Sequence, residues 1–169
     1  MKKTLLILIL VIVSCSLKKE IVSDQKVSVL EINKDSTYQK PESILFVFTG
    51  HTHLINYYKD LANTLKKDFR EKNIKVNFNY YLAAEKSFQV DLNNIPKQKF
   101  YYKKYTAVCS LNVSYPYEHR RRIYGLDFNS KTTDSLKTKL KGILAIKFTH
   151  TISDYSKESS KKLVEIITK

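Results

Sequence analysis

Ile44-Leu45-Phe46-Val47-Phe48 is an unbroken apolar run of aliphatic and aromatic side chains. A run of this kind suits a strand buried on both faces. Gly50 behind it permits a turn, and Thr52 stands where it would cap a following helix. Leu54, Tyr57, Tyr58, Leu61, Leu65 and Phe69 then recur at helical spacing, while Lys59, Asp60, Lys66, Lys67 and Arg70 fall elsewhere on the wheel. The pattern predicts an amphipathic helix ending near Lys72-Asn73, because asparagine tolerates the left-handed stop. Beyond it Ile74, Val76, Phe78 and Tyr80 alternate with Lys75, Asn77 and Asn79, the mark of a half-buried strand. Strand, helix and strand in so short a span predict a right-handed βαβ unit.

Downstream, residues 82–104 give no clear period, and Asn93-Asn94-Ile95-Pro96 breaks any helix begun at Ala83-Ala84-Glu85-Lys86. Three strands are expected after it, over Tyr105–Val113, Arg122–Phe128 and Leu140–Phe148. Turns are expected over Ser114–His119 and Asn129–Ser135, and the close spacing favours an antiparallel meander. Ser153 or Asp154 is the expected cap of a last helix carrying Tyr155, Leu163, Ile166 and Ile167 on one side. The whole reads as an α+β or α/β domain in the order β-α-β-β-β-β-α. Its expected form is two layers, a mixed sheet of four to five strands with two helices on one face.

The start of the chain concerns location. Lys2 and Lys3 precede the uncharged run Leu5 to Val13, and Ser14-Cys15-Ser16 follows. A positive start, a short apolar stretch and a small-residue boundary are the parts of a secretory signal peptide. The run is shorter than the roughly 20 residues a spanning helix needs. Ile12-Val13-Ser14-Cys15 resembles the lipobox of bacterial lipoproteins. That resemblance implies cleavage before Cys15, acylation of its thiol and attachment to a membrane. The expected organisation is therefore a leader over residues 1–14, a lipidated cysteine and flexible tether over 15–42, and one domain over 43–169. Val27-Ser28-Val29-Leu30-Glu31-Ile32 adds at most a small edge strand to the tether, and Pro41 marks its end.

The chain of 169 residues is long enough for one hydrophobic core. Losing Lys2 and Lys3 with the leader takes the formal net charge from +14 to +12, nearly all of it lysine. This balance favours anionic partners. For an exported chain the expected ones are membrane or envelope polyanions rather than nucleic acid, with plain solubility as the simpler meaning of the charge. If Cys15 is acylated, Cys109 has no partner within the chain, and its place in Tyr105–Val113, in phase with Tyr105, Ala107, Leu111 and Val113, marks it as a small buried hydrophobe.

The element order behind a lipobox, with a hairpin expected around Leu126-Asp127-Phe128-Asn129, resembles small envelope lipoproteins. Their domain is similar to the amino-terminal domain of TolB or to curli-secretion-type lipoproteins. The resemblance implies envelope assembly or the holding of a partner protein, without catalysis or a cofactor.

Few side chains suggest chemistry. Gly50-His51-Thr52-His53 lies between a strand and a helix start. Two histidines two apart can hold a metal only if other ligands join them. His119 and His150 are the remaining histidines, and Arg120-Arg121-Arg122 beside His119 would repel a cation. The same turn can instead bind an anion through backbone N–H groups and the imidazoles. A third reading is two solvated histidines on a loop. Arg120, Arg121 and Arg122 can grip phosphate groups or simply form a solvated turn. Lys97 to Tyr105 interleaves lysines with aromatics, as sugar- or nucleic-acid-facing surfaces do, and as snorkelling lysines at the start of a strand also do. With three glycines, the chain has no Gly-rich phosphate loop and no Gly-x-Ser-x-Gly elbow. The expectation is a lipid-anchored protein of the bacterial envelope, facing the periplasm from the outer membrane, with a non-catalytic binding or assembly role. The alternative is a small metal- or phosphate-dependent enzyme centred on His51 and His53.

Overall fold

The computed structural model describes residues 26–83, 104–118, 123–147 and 152–169. Among the described residues, six strands and two α-helices follow in chain order: β1 (Val27–Lys34), β2 (Ser43–His51), α1 (Ile55–Arg70), β3 (Lys75–Ala83), β4 (Ala107–Glu118), β5 (Ile123–Thr132), β6 (Thr138–Lys147) and α2 (Ser156–Thr168). The strands form one mixed sheet in the order β1-β6-β5-β4-β2-β3. No helix among the described residues is long and apolar enough to cross a membrane.

β2 sits inside the sheet, parallel to β3 on one side and β4 on the other. Ile44 to Phe48 are all at most 1% exposed, as their unbroken apolarity requires. Ile44, Phe46 and Phe48 face the helices. Leu45 and Val47 join Val108 in a smaller cluster on the opposite face, covered in part by Tyr81 and Tyr105. β2, α1 and the parallel partner β3 form the expected βαβ unit. The helix stripe is buried throughout, and its aromatic residues key it to the sheet. Phe69 stands 5.5 Å from Phe46 and Tyr58 stands 4.8 Å from Phe48, ring centre to ring centre. The chain leaves the helix through Asn73 at φ 58°, the left-handed stop that the sequence marks.

β4, β5 and β6 are the antiparallel meander. Cys109, Leu111, Val113, Leu126, Phe128 and Leu144 extend the helix-side core across it. Burial pushes the Cys109 thiol up to about 12, so this cysteine is packing and no nucleophile. α2 lies beside α1 on the same face of the sheet. Ser159 and Ser160 are fully buried at the helix contact, small enough to let the helices approach. Ser159 Oγ accepts a bond from the Tyr57 hydroxyl at 3.1 Å, and the Ser160 hydroxyl donates to Asp68 at 2.6 Å.

Several expectations need correction. Val27–Lys34 is part of the sheet and not of a tether: it pairs antiparallel with β6, so the strands among the described residues number six. Its reason is burial of Val27 against the open edge of β6. A bulge between Val29 and Glu31 adjusts the register, and Gly142 lies beneath it. β4 continues through the turn expected at Ser114, its register with β5 shifting between Ser114 and Glu118. β5 runs on to Thr132, so Leu126–Asn129 is mid-strand and not a hairpin. Tyr105 precedes β4 and turns to the opposite face from Cys109. The last helix begins at Ser156, behind a 3-10 turn over Ile152–Tyr155, which takes up the expected caps Ser153 and Asp154.

Candidate functional site

The C-terminal end of β2 is where open α/β sheets keep ligands, and the chain makes an irregular turn there. Gly50 has φ +119°, a conformation side chains disfavour, and a Cβ at this position would stand 2.8 Å from Asn112 Oδ1. Pairing of β2 with β4 stops one residue earlier, at Thr49 opposite Asn112. The buried hydroxyl of Tyr58 closes the gap. It donates to the Thr49 carbonyl at 2.8 Å and accepts the Val113 N–H at 2.9 Å. Desolvation raises its pKa, so it stays a neutral phenol that can serve both strands.

His51 rather than Thr52 caps the turn that follows. A 3-10 turn over Thr52–Leu54 precedes α1, and His51 Nδ1 accepts the His53 N–H at 3.2 Å. The two Nδ1 atoms lie 2.6 Å apart. Two N–H groups cannot point at each other over that distance, so at most one of these nitrogens carries a proton. The ring tautomers decide which of the two holds it. Desolvation first, and the neighbouring His51 second, lower the His53 pKa. NMR titration of the imidazoles is expected to give His53 a midpoint below the ordinary histidine value, and His51→Ala should move it back up. The unfolded ring takes its proton at higher pH than the folded one, so stability falls as pH drops through that window. His53 is exposed, so the loss is small. A His53 midpoint indifferent to His51→Ala would show that the rings do not interact.

The two Nδ1 atoms are spent on each other, and among the described residues no three of His, Cys, Asp and Glu come together to hold an ion. Arg120, Arg121, Arg122, His119, His150 and Cys15 lie outside the described residues.

Sequence reading missed the polar row beside the turn. Asn112 stands directly opposite Asp127 on β5. The Asp127 carboxyl is half-buried and pushed up by desolvation, against the opposing effect of the Ser114 hydroxyl. Only strand register joins Asn112 to Asp127, and no spacing in the sequence announces it.

No family model matches the chain, and no curated protein sequence does. Solved structures match in fold. PelC from Paraburkholderia phytofirmans, crystallised as a dodecamer, aligns at TM-score 0.53 and 11% identity over 84% of this chain and 97% of its own. A PelC variant in a second space group gives the same TM-score at 10% identity, over 84% of this chain and 96% of its own. Lipoprotein GNA1162 from Neisseria meningitidis aligns at TM-score 0.46 and 13% identity, over 75% of this chain and 96% of its own. At these identities the likeness to PelC is one of fold alone.

Proposed function

We propose that the chain is a lipid-anchored protein of the bacterial cell envelope, whose domain binds or assembles partners at the membrane surface without catalysis. The observation that carries this reading is the sequence Ile12-Val13-Ser14-Cys15 behind Lys2, Lys3 and the apolar run. The strand β1 sharpens it. Only residues 16–26 separate the anchor cysteine from Val27, so the link reaches at most about 40 Å when fully extended. A domain on so short a link works at the bilayer, under a basic charge that suits anionic surfaces. The outer membrane, facing the periplasm, is the proposed location. Cys15→Ser is expected to abolish incorporation of radiolabelled palmitate and to shift the protein out of the membrane fraction or leave an unprocessed precursor. Unchanged labelling in that variant would remove the anchor from the reading.

Self-association is the form of assembly the reading favours. It draws on the dodecameric PelC, which has a similar fold. Both edges of the sheet also carry an exposed apolar side chain, Ile32 on β1 at 45% and Tyr80 on β3 at 39%. Unpaired strand edges invite pairing with another chain. Light scattering on the detergent-solubilised protein should give a protein mass several times that of one mature chain. A monomer at all concentrations would restrict assembly to other proteins.

A further inference from the structure

At the end of the sheet opposite His51 lies an open cavity of about 480 Å³ that the reading above does not use. It lies between the segment before β2, the start of β4 and the turn joining β5 to β6. Its volume falls in the range of small-molecule pockets, about 300–1,000 Å³. The wall is braced from several sides by one residue. Thr106 Oγ1 accepts the Glu42 and Ser43 N–H groups, each at 3.0 Å, and donates to the Ser43 carbonyl at 2.9 Å. The Thr133 hydroxyl donates to the Tyr105 carbonyl at 2.6 Å and fixes the opposite rim. Lys139 is held in place by Asp35 at 3.3 Å and by the Thr37 hydroxyl at 2.6 Å.

The lining chemistry is mixed in an informative way. Lys40, Lys104, Lys131 and Lys139 line the cavity with Glu42 and Asp134; Lys40 Nζ also reaches the Lys72 carbonyl at 3.5 Å, and the Lys139 charge is partly offset by Asp35. Ammonium groups are point-charge partners for phosphate. Carboxylates repel a bare polyanion but accept hydrogen bonds from sugar hydroxyls. The half-exposed Tyr105 adds apolar surface for the C–H face of a ring. We propose that this cavity binds a phosphorylated sugar, its phosphate among the lysines and its hydroxyls on Glu42 and Asp134. The proposal stands without the lipid anchor and without self-association. Such a sugar can be free or can be the headgroup of an envelope glycolipid.

Calorimetric titration of the full chain in neutral detergent tests it, with glucose 1-phosphate, glucose and inorganic phosphate as probes. Glucose 1-phosphate should bind at least about tenfold tighter than either of the others, since only it engages both halves of the lining. The double variant Lys40→Gln/Lys104→Gln should weaken it at least about tenfold with an unchanged melting temperature. Lys66→Gln/Lys67→Gln, which removes the same charge from exposed positions on α1, should leave it unchanged. A bis-phosphorylated glucosamine disaccharide distinguishes the sources. Binding tighter than glucose 1-phosphate assigns a glycolipid headgroup, and weaker binding a free sugar phosphate. Equal affinity for inorganic phosphate, equal loss in the α1 variant, or no binding at millimolar concentration would overturn the proposal.

Discussion

Leu61→Ala is expected to cost about 2–5 kcal/mol, the range for truncating a large core side chain to alanine. Leu61 is fully buried at the middle of the α1 stripe, in one cluster with Phe46, Phe48 and the buried face of α2. The loss is a large share of the roughly 5–15 kcal/mol that holds a domain together. Lys66 on the same helix is exposed, and Lys66→Ala should stay within about 0.5 kcal/mol of the parent. Urea denaturation of the chain from Ser16 onward measures both through the midpoint at constant slope. If the two variants unfold together, α1 does not cover the sheet, and the two-layer arrangement fails.

The second large effect is expected at Gly142. A Cβ there would stand 2.3 Å from the Glu31 carbonyl oxygen and 2.6 Å from the Phe128 ring. The first is backbone, fixed by the bulge in β1, and the second is a buried ring that cannot swing into solvent. Gly142→Ala therefore forces the strands apart, at about 1–3 kcal/mol or more for overpacking. β1 is the edge strand and should yield first, so amides of Val27–Lys34 should exchange faster than those of β4 and β5. Gly125→Ala is the control. Its nearest neighbour at 2.6 Å is the Ser114 hydroxyl, which can rotate away. Equal costs for the two alanines would contradict the tight β1–β6 pairing.

These two sites also mark what the sequence could and could not tell. The α1 stripe and the doubly buried β2 were legible because each is a local period, complete within one element. Asn73 was legible because a left-handed stop selects its own residue type. β1 is legible only as a small edge strand on a tether, because only Val27 and Val29 of its alternation turn inward and Ile32 lies exposed at the sheet edge. Its partner β6 lies more than a hundred residues away, and the need of that edge for a neighbour has no local sign. β4 and β5 run further than their local pattern marks, because their second face carries Asn129, Lys131 and Ser114, which look like turn residues. The histidine turn was found, but the Nδ1 contact that sets its chemistry depends on ring orientation. The cavity around Thr106 has no local sign in the sequence, since it gathers Thr37–Glu42, Lys104–Ala107, Ser130–Asp134 and Lys139 through sheet register.

The central proposal is an anchored domain, and the intact mass of the mature protein from its native membrane tests it most directly. The mass should match a chain beginning at Cys15, raised by the acyl groups on that residue. Each buried CH₂ contributes about 0.8 kcal/mol, and more than one chain is needed for firm attachment. A mature chain beginning elsewhere, or an unmodified Cys15, would contradict it.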